Sequence, residues 1–125
     1  MTNAEYIQLH REEDVRRLAL RKVPEGIDLP YCLTQIEGWQ TARAKLPRWA
    51  ATEGVIFPPR LSMEQCSSQE TAEYKHSLVR DLLGRAANAA PQGSFTDLTG
   101  GFGVDFSMLA PLFERATYVE RLPHL

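Results

Sequence analysis

The stretch Ser94-Phe95-Thr96-Asp97-Leu98-Thr99-Gly100-Gly101-Phe102-Gly103-Val104-Asp105 limits the folds open to this chain more than any other part of it. Apolar and polar residues alternate up to Asp97, three glycines follow in close order, and Val104-Asp105-Phe106-Ser107-Met108-Leu109-Ala110 has helical character. This pattern predicts a strand, a tight turn and a helix start. Glycine suits such a turn because it reaches positive φ without strain and because, lacking Cβ, it lets a ligand approach the backbone. The helix beyond it points free N–H groups back at the turn. Ala116-Thr117-Tyr118-Val119 reads as a second strand and ends at Glu120, an acid placed to take the two hydroxyls of a ribose. Strand, glycine turn, helix, strand and acid form the first half of a nucleotide-binding βαβ unit.

The segment Asp97-Leu98-Thr99-Gly100-Gly101-Phe102-Gly103 resembles the first motif of class I S-adenosylmethionine-dependent methyltransferases, an acid followed by glycines at alternate positions. Asp97, Gly101 and Gly103 fit that pattern, and Thr99 stands where the first glycine usually is. The resemblance implies S-adenosyl-L-methionine as cofactor, held by Asp97, Thr99, Gly101, Gly103 and Glu120. Asp97 would lie near its methionine part and Glu120 would hold its ribose. With Glu64-Gln65-Cys66-Ser67-Ser68 and a long helix ahead of the motif, residues 60 to 121 look more narrowly like a bacterial group of RNA methyltransferases. Members of that group carry a helical amino-terminal region before the catalytic domain and an RNA-binding-like, THUMP-like module after it. RNA is the partner implied.

The fold expected is therefore α-rich α+β: a helical amino-terminal domain over residues 1–57, then the first β-α-β unit of a Rossmann-like methyltransferase domain over residues 58–125. An open doubly wound sheet needs about five or more parallel strands, and only two are visible here. The expectation is an amino-terminal fragment without methyl transfer activity of its own. No catalytic residue is named, since in the family the acceptor is positioned at the end of a fourth strand, which is absent. An exposed sheet edge could then pair with another copy.

Charge and cysteine content narrow the function classes. Fourteen basic and 16 acidic residues give a formal charge of −2, so no global positive excess points to nucleic acid, although a local patch is compatible with it. Cys32 and Cys66 match no metal-ligand spacing and read as buried thiols of a reducing cytosol. The start Met1-Thr2-Asn3-Ala4-Glu5 lacks the basic and apolar parts of a signal peptide, and no run approaches the roughly 18 to 20 apolar residues of a membrane span. The cytoplasm is the expected compartment.

In chain order, Asn3 is expected to cap a first helix with Tyr6, Ile7 and Leu9 inward, and Asp14 a second with Val15, Leu18 and Ala19 inward. Arg11, Arg16, Arg17, Arg21 and Lys22 lie among Glu12, Glu13 and Asp14, which suits a solvated helix face better than a phosphate site. Asp28 and Pro30 start the next helix, which carries Ile36, Trp39 and Ala42 or Arg43 at helical spacing. Gly38, costing about 1 kcal/mol relative to alanine, marks a close helix crossing. Pro47 restarts the helix. Trp39 and Trp49 read as packing residues, with base stacking as the sharper alternative for them.

Gly54 to Leu61 reads as an extended linker because of Pro58 and Pro59. Ser67-Ser68-Gln69-Glu70 has capping-box spacing and opens a helix near Ser68, with Ala72, the Lys75 stem, Leu78, Val79, Leu82, Leu83 and Ala86 as its apolar stripe, fraying into 87–90. By the family resemblance, Gln65, Ser67, Ser68, Tyr74 and Lys75 are candidates for the substrate side. Two other readings stand beside the methyltransferase. One is a noncatalytic helical module over residues 1 to 90 that recruits protein or RNA. The other is a nicotinamide-dependent oxidoreductase, disfavoured by Phe106 where a third glycine belongs.

Overall fold

The structure is a computed structural model that describes residues 1–84 and 89–121. Seven α-helices are described: α1 Asn3–His10, α2 Val15–Leu18, α3 Leu29–Lys45, α4 Pro47–Ala50, α5 Arg60–Gln65, α6 Gln69–Leu82 and α7 Val104–Leu109. A 3₁₀ turn, Ala110–Leu112, extends α7. Strands β1, Ser94–Asp97, and β2, Arg115–Tyr118, pair in parallel with Ser94 opposite Arg115 and Asp97 opposite Tyr118. The fold is mostly helical with a small parallel sheet near the carboxyl end, as the sequence pattern predicts. The chain packs as two compact units, one running to Glu64 and one from Gln65 onward.

In the first unit, Tyr6, Leu18, Cys32 and Ile36 form a buried cluster, flanked by Ile7, Val15, Val23, Ile27, Leu29 and Leu33. Helix α1 begins one residue earlier than its sequence suggests. Thr2, not Asn3, is the cap, because Glu5 lies three residues beyond it: Thr2 Oγ1 accepts from Glu5 N–H, and Thr2 N–H donates to Glu5 Oε2 at 2.7 Å. Asn3 instead accepts from the Asp28 N–H at 2.9 Å, tying α1 to the start of α3. Leu9 and Ala19 face solvent, contrary to expectation, because helices of eight and four residues each bury only one narrow stripe. Asp14 and Asp28 cap α2 and α3 as read.

Gly38 is tight for a different reason than a helix crossing. The Phe57 side chain lies against it, where an alanine methyl would fall on the ring stem. Buried Gln35, one turn earlier, donates to the Phe57 carbonyl at 2.9 Å and accepts from the Phe57 N–H at 2.8 Å. Both ends of a buried amide are thus satisfied, and the linker strap is pinned onto α3.

The strap ends sooner than the sequence suggests. Arg60 and Leu61 open α5, because prolines at 58 and 59 are compatible with a helix that starts just after them. Lys45 Nζ donates to the carbonyls of Met63 and Glu64 at 2.8 and 2.9 Å, and Met63 is buried. The packing division therefore falls between Glu64 and Gln65, beyond the 57/58 border read from the prolines.

In the second unit, Ser68 caps α6 through the Thr71 N–H. The Ser67-to-Glu70 box is not formed, since Thr71 occupies the third helical position and Ser67 is used elsewhere. Of the expected stripe Ala72 is buried, whereas Leu78, Leu82 and Leu83 are exposed. Ala86 and the fraying at 87 and 88 lie outside the described residues. Phe95 stacks with Phe106 and Phe113 at centroid distances of 6.0 and 5.3 Å, so the crossover α7 is held on the sheet by an aromatic cluster.

Candidate functional site

Strand β1 ends at Asp97, and the chain turns because Asp97 caps its own turn. Its Oδ1 accepts from the Thr99 N–H at 2.9 Å and from the Thr99 hydroxyl at 3.3 Å. Thr99, standing where the family motif has a glycine, is thereby accounted for: its hydroxyl reinforces the Asx turn. The strand ladder continues past the sheet, with Val119 N–H donating to the Asp97 carbonyl and Gly100 N–H to the Val119 carbonyl, both at 2.9 Å. Gly101 and Gly103 take φ of +52° and +84°, the left-handed region in which a side chain is strained. Gly103 N–H closes the turn on the Gly100 carbonyl at 2.8 Å, and α7 starts from Gly103.

Glu120 faces this turn. Its Oε2 accepts from the Gly101 N–H at 2.7 Å, a short, charge-assisted bond. Two parallel strands side by side put the acid after β2 next to the glycines after β1, which is why residues 19 apart in sequence meet. A Cβ placed on Gly101 would meet only the Thr99 carbonyl, at 3.9 Å, so the space over Gly101 is open. The neighbouring Gly100 differs, for the Tyr118 ring lies directly against it. The Tyr118 hydroxyl donates to the Gly101 carbonyl, and its ring meets Phe106 edge-on at 5.6 Å. Desolvation, with Glu120 and Asp97 adding to it, pushes the Tyr118 phenol above its ordinary range.

Of the candidates ahead of the turn, the structure brings Ser67 and Lys75 together. Lys75 Nζ donates to Asp105 Oδ2 at 2.9 Å and to Ser67 Oγ at 3.0 Å, and Ser67 Oγ donates to the same carboxylate oxygen at 3.0 Å. The other oxygen, Asp105 Oδ1, is buried without a hydrogen-bond partner among the described residues. Ser68 serves as a helix cap, while Gln65 and Tyr74 are exposed.

Two residues of the site escaped the sequence reading, Tyr118 and Asp105. Tyr118 was legible in principle, because it lies two positions before Glu120 on the same side of the strand. Asp105 follows the glycines by two residues, in the first turn of a helix, where a carboxylate is favoured.

The residues fit a nucleoside cofactor. The open backbone at Gly101 admits close approach, and Glu120 supplies a carboxylate able to accept from a vicinal diol. Among the described residues no cluster of three or more His, Cys, Asp or Glu side chains is arranged for a metal, and no helix is long and apolar enough to cross a membrane.

Neither a family model nor a curated protein matches this chain. Among solved structures, it is similar to a crystal structure described as a "putative methyltransferase" from Porphyromonas gingivalis W83, with 30% identity and a TM-score of 0.72 over 98% of the present chain. The chain spans 28% of that protein's length, so the likeness joins these residues to part of a longer methyltransferase-type structure.

Proposed function

We propose that these residues form the cofactor-side half of an S-adenosylmethionine-dependent methyltransferase that acts on RNA in the cytosol, and that they do not transfer methyl groups alone. The observation that carries this reading is the bond from Gly101 N–H to Glu120, which sets an acid at the end of the second strand against a bare glycine turn. The likeness to the Porphyromonas protein supports it.

Bound at the turn, the cofactor supplies an electrophilic methyl group on a sulfonium. The chain's own contribution is to bind and orient. Glu120 takes the ribose hydroxyls, Asp97 and Thr99 fix the turn, and Gly101 and Gly103 leave the backbone approachable. The Lys75–Asp105–Ser67 set ties α6 to the helix that springs from the turn. Tyr118 packs one flank of the turn and helps to exclude water there. Alignment of the acceptor falls to residues beyond this chain.

Calorimetric titration with S-adenosylhomocysteine tests the reading on a chain extended through the remaining strands of the sheet. Binding is expected, and Gly101→Val should abolish it, since a branched side chain at φ +52° both strains the turn and fills the space above it. No heat from the intact protein, or unchanged binding after that substitution, would sink the proposal.

A further inference from the structure

The first unit carries a groove that the methyl-transfer reading does not use. It has a volume of about 1190 Å³ and is lined by α1, α3, α4 and the 51–57 strap, with Gln8, Arg11, Tyr31, Trp39, Arg43 and Glu53 among its walls. The Trp39 ring is fixed by its indole N–H, which donates to the Ala50 carbonyl at 3.1 Å. Two guanidinium groups lie over that one ring, Arg11 at 4.5 Å and Arg43 at 5.0 Å from its centroid. Neither has a carboxylate partner among the described residues.

Each cation gains from the face of the indole, but two like charges held within 4.5 and 5.0 Å of one ring centroid lie no farther apart than about a Debye length and repel each other. An anion bridging them removes that repulsion. Glu53 is the sole acid among the lining residues, leaving the walls with a positive excess in a chain whose overall charge is −2. Exposed Tyr31 and Ile56 add an aromatic and an apolar surface to the rim.

We propose that this groove binds a single-stranded RNA segment, with Arg11 and Arg43 on successive phosphates and a base against the exposed Tyr31 ring on the rim. RNA as the occupant rests on the function proposed above. A run of Asp and Glu satisfies the two arginines but brings no ring to Tyr31, whereas a nucleotide strand couples an anionic phosphate to a planar base at every position. Arg11, one of the cations expected on a solvated helix face, has its head group over Trp39 rather than in an ion pair.

The test is fluorescence anisotropy of a labelled oligouridylate of about twelve nucleotides with the 125-residue chain, alongside tryptophan emission in a Trp49→Phe background that isolates Trp39. Arg11→Gln and Arg43→Gln are each expected to weaken binding about fivefold and to reduce the salt slope by about 1. Glu53→Gln should tighten binding, and RNA should quench Trp39. Circular dichroism of the variants verifies that they fold. Lack of RNA binding at about 100 μM protein in low salt, indifference to both arginine substitutions, or equal competition by polyglutamate would each overturn the proposal. The two readings fail separately: RNA binding without cofactor binding leaves the groove assignment standing, and cofactor binding without RNA binding removes the groove assignment alone.

Discussion

Glu120 holds the turn through a bond from the Gly101 N–H to one carboxylate oxygen, which a substitution that keeps shape and removes charge weakens. In the sheet-completed protein, Glu120→Gln should weaken S-adenosylhomocysteine binding by about one to two orders of magnitude, the scale of a lost charge-assisted bond of about 1.5–3 kcal/mol. Calorimetry reads this directly, and an unchanged affinity would place the ribose elsewhere. Tyr118 offers a second handle, because its phenol is raised by burial and by the acids around it. A group raised in the folded state stabilises fully below its unfolded value, about 10 for tyrosine, and that stability is lost as pH rises through the folded value. Ultraviolet titration of the wild type against Tyr118→Phe should therefore remove a phenol that titrates above the ordinary tyrosine range, and the alkaline fall in stability should flatten. At Gly38 the limit is steric. Gly38→Ala drives a methyl into Phe57 and should cost about 1–3 kcal/mol in urea unfolding, as overpacking does.

At the scale of elements, α1 rests on its capping box. Thr2→Ala should cost about 1 kcal/mol, measured by thermal unfolding. Glu5, held below the usual carboxylate range chiefly by the Thr2 backbone N–H, contributes stability that is present above about pH 4.3 and lost as pH falls through its lower folded value. Glu5→Gln keeps the cap geometry and should flatten the acid side of the stability profile. The beginnings of α2, α3 and α6 were legible because Asp14, Asp28 and Ser68 announce them to the nearest neighbours. The start of α1 was misread by one residue because Thr2 and Asn3 are both good caps, and what decides between them is Glu5, three positions on. Helix α5 was hidden for another reason: paired prolines forbid a helix through themselves but not one that begins beside them. The turn and Glu120 were legible as types and spacing. The Lys75–Asp105–Ser67 set was not, since it depends on which elements pack together, and no local pattern encodes that.

Over the whole chain the two units differ in how well they are covered. The helical unit has a closed cluster at Leu18, Cys32 and Ile36, each with no exposed surface. By contrast, every residue of β2 is exposed, although parallel strands are ordinarily buried on both faces. A sheet of two strands is marginal in water on its own, and among the described residues this one leans on the aromatic packing of Phe95 against Phe106 and Phe113. Local opening should therefore be far easier in the second unit. Native-state hydrogen exchange of the 125-residue chain is expected to show the amides of Phe95 to Asp97 and Thr117 to Val119 exchanging at least about tenfold faster than those of Ile36 and Ala42. The same measurement tests whether copies pair through the open strand edge, as the sequence suggested. Pairing between copies is second order in protein, so protection of the strands should rise with concentration while that of α3 does not. Strand protection equal to that of α3 at every concentration would mean that the two-stranded sheet is closed by the chain's own packing, and the case for an open edge would fall with it.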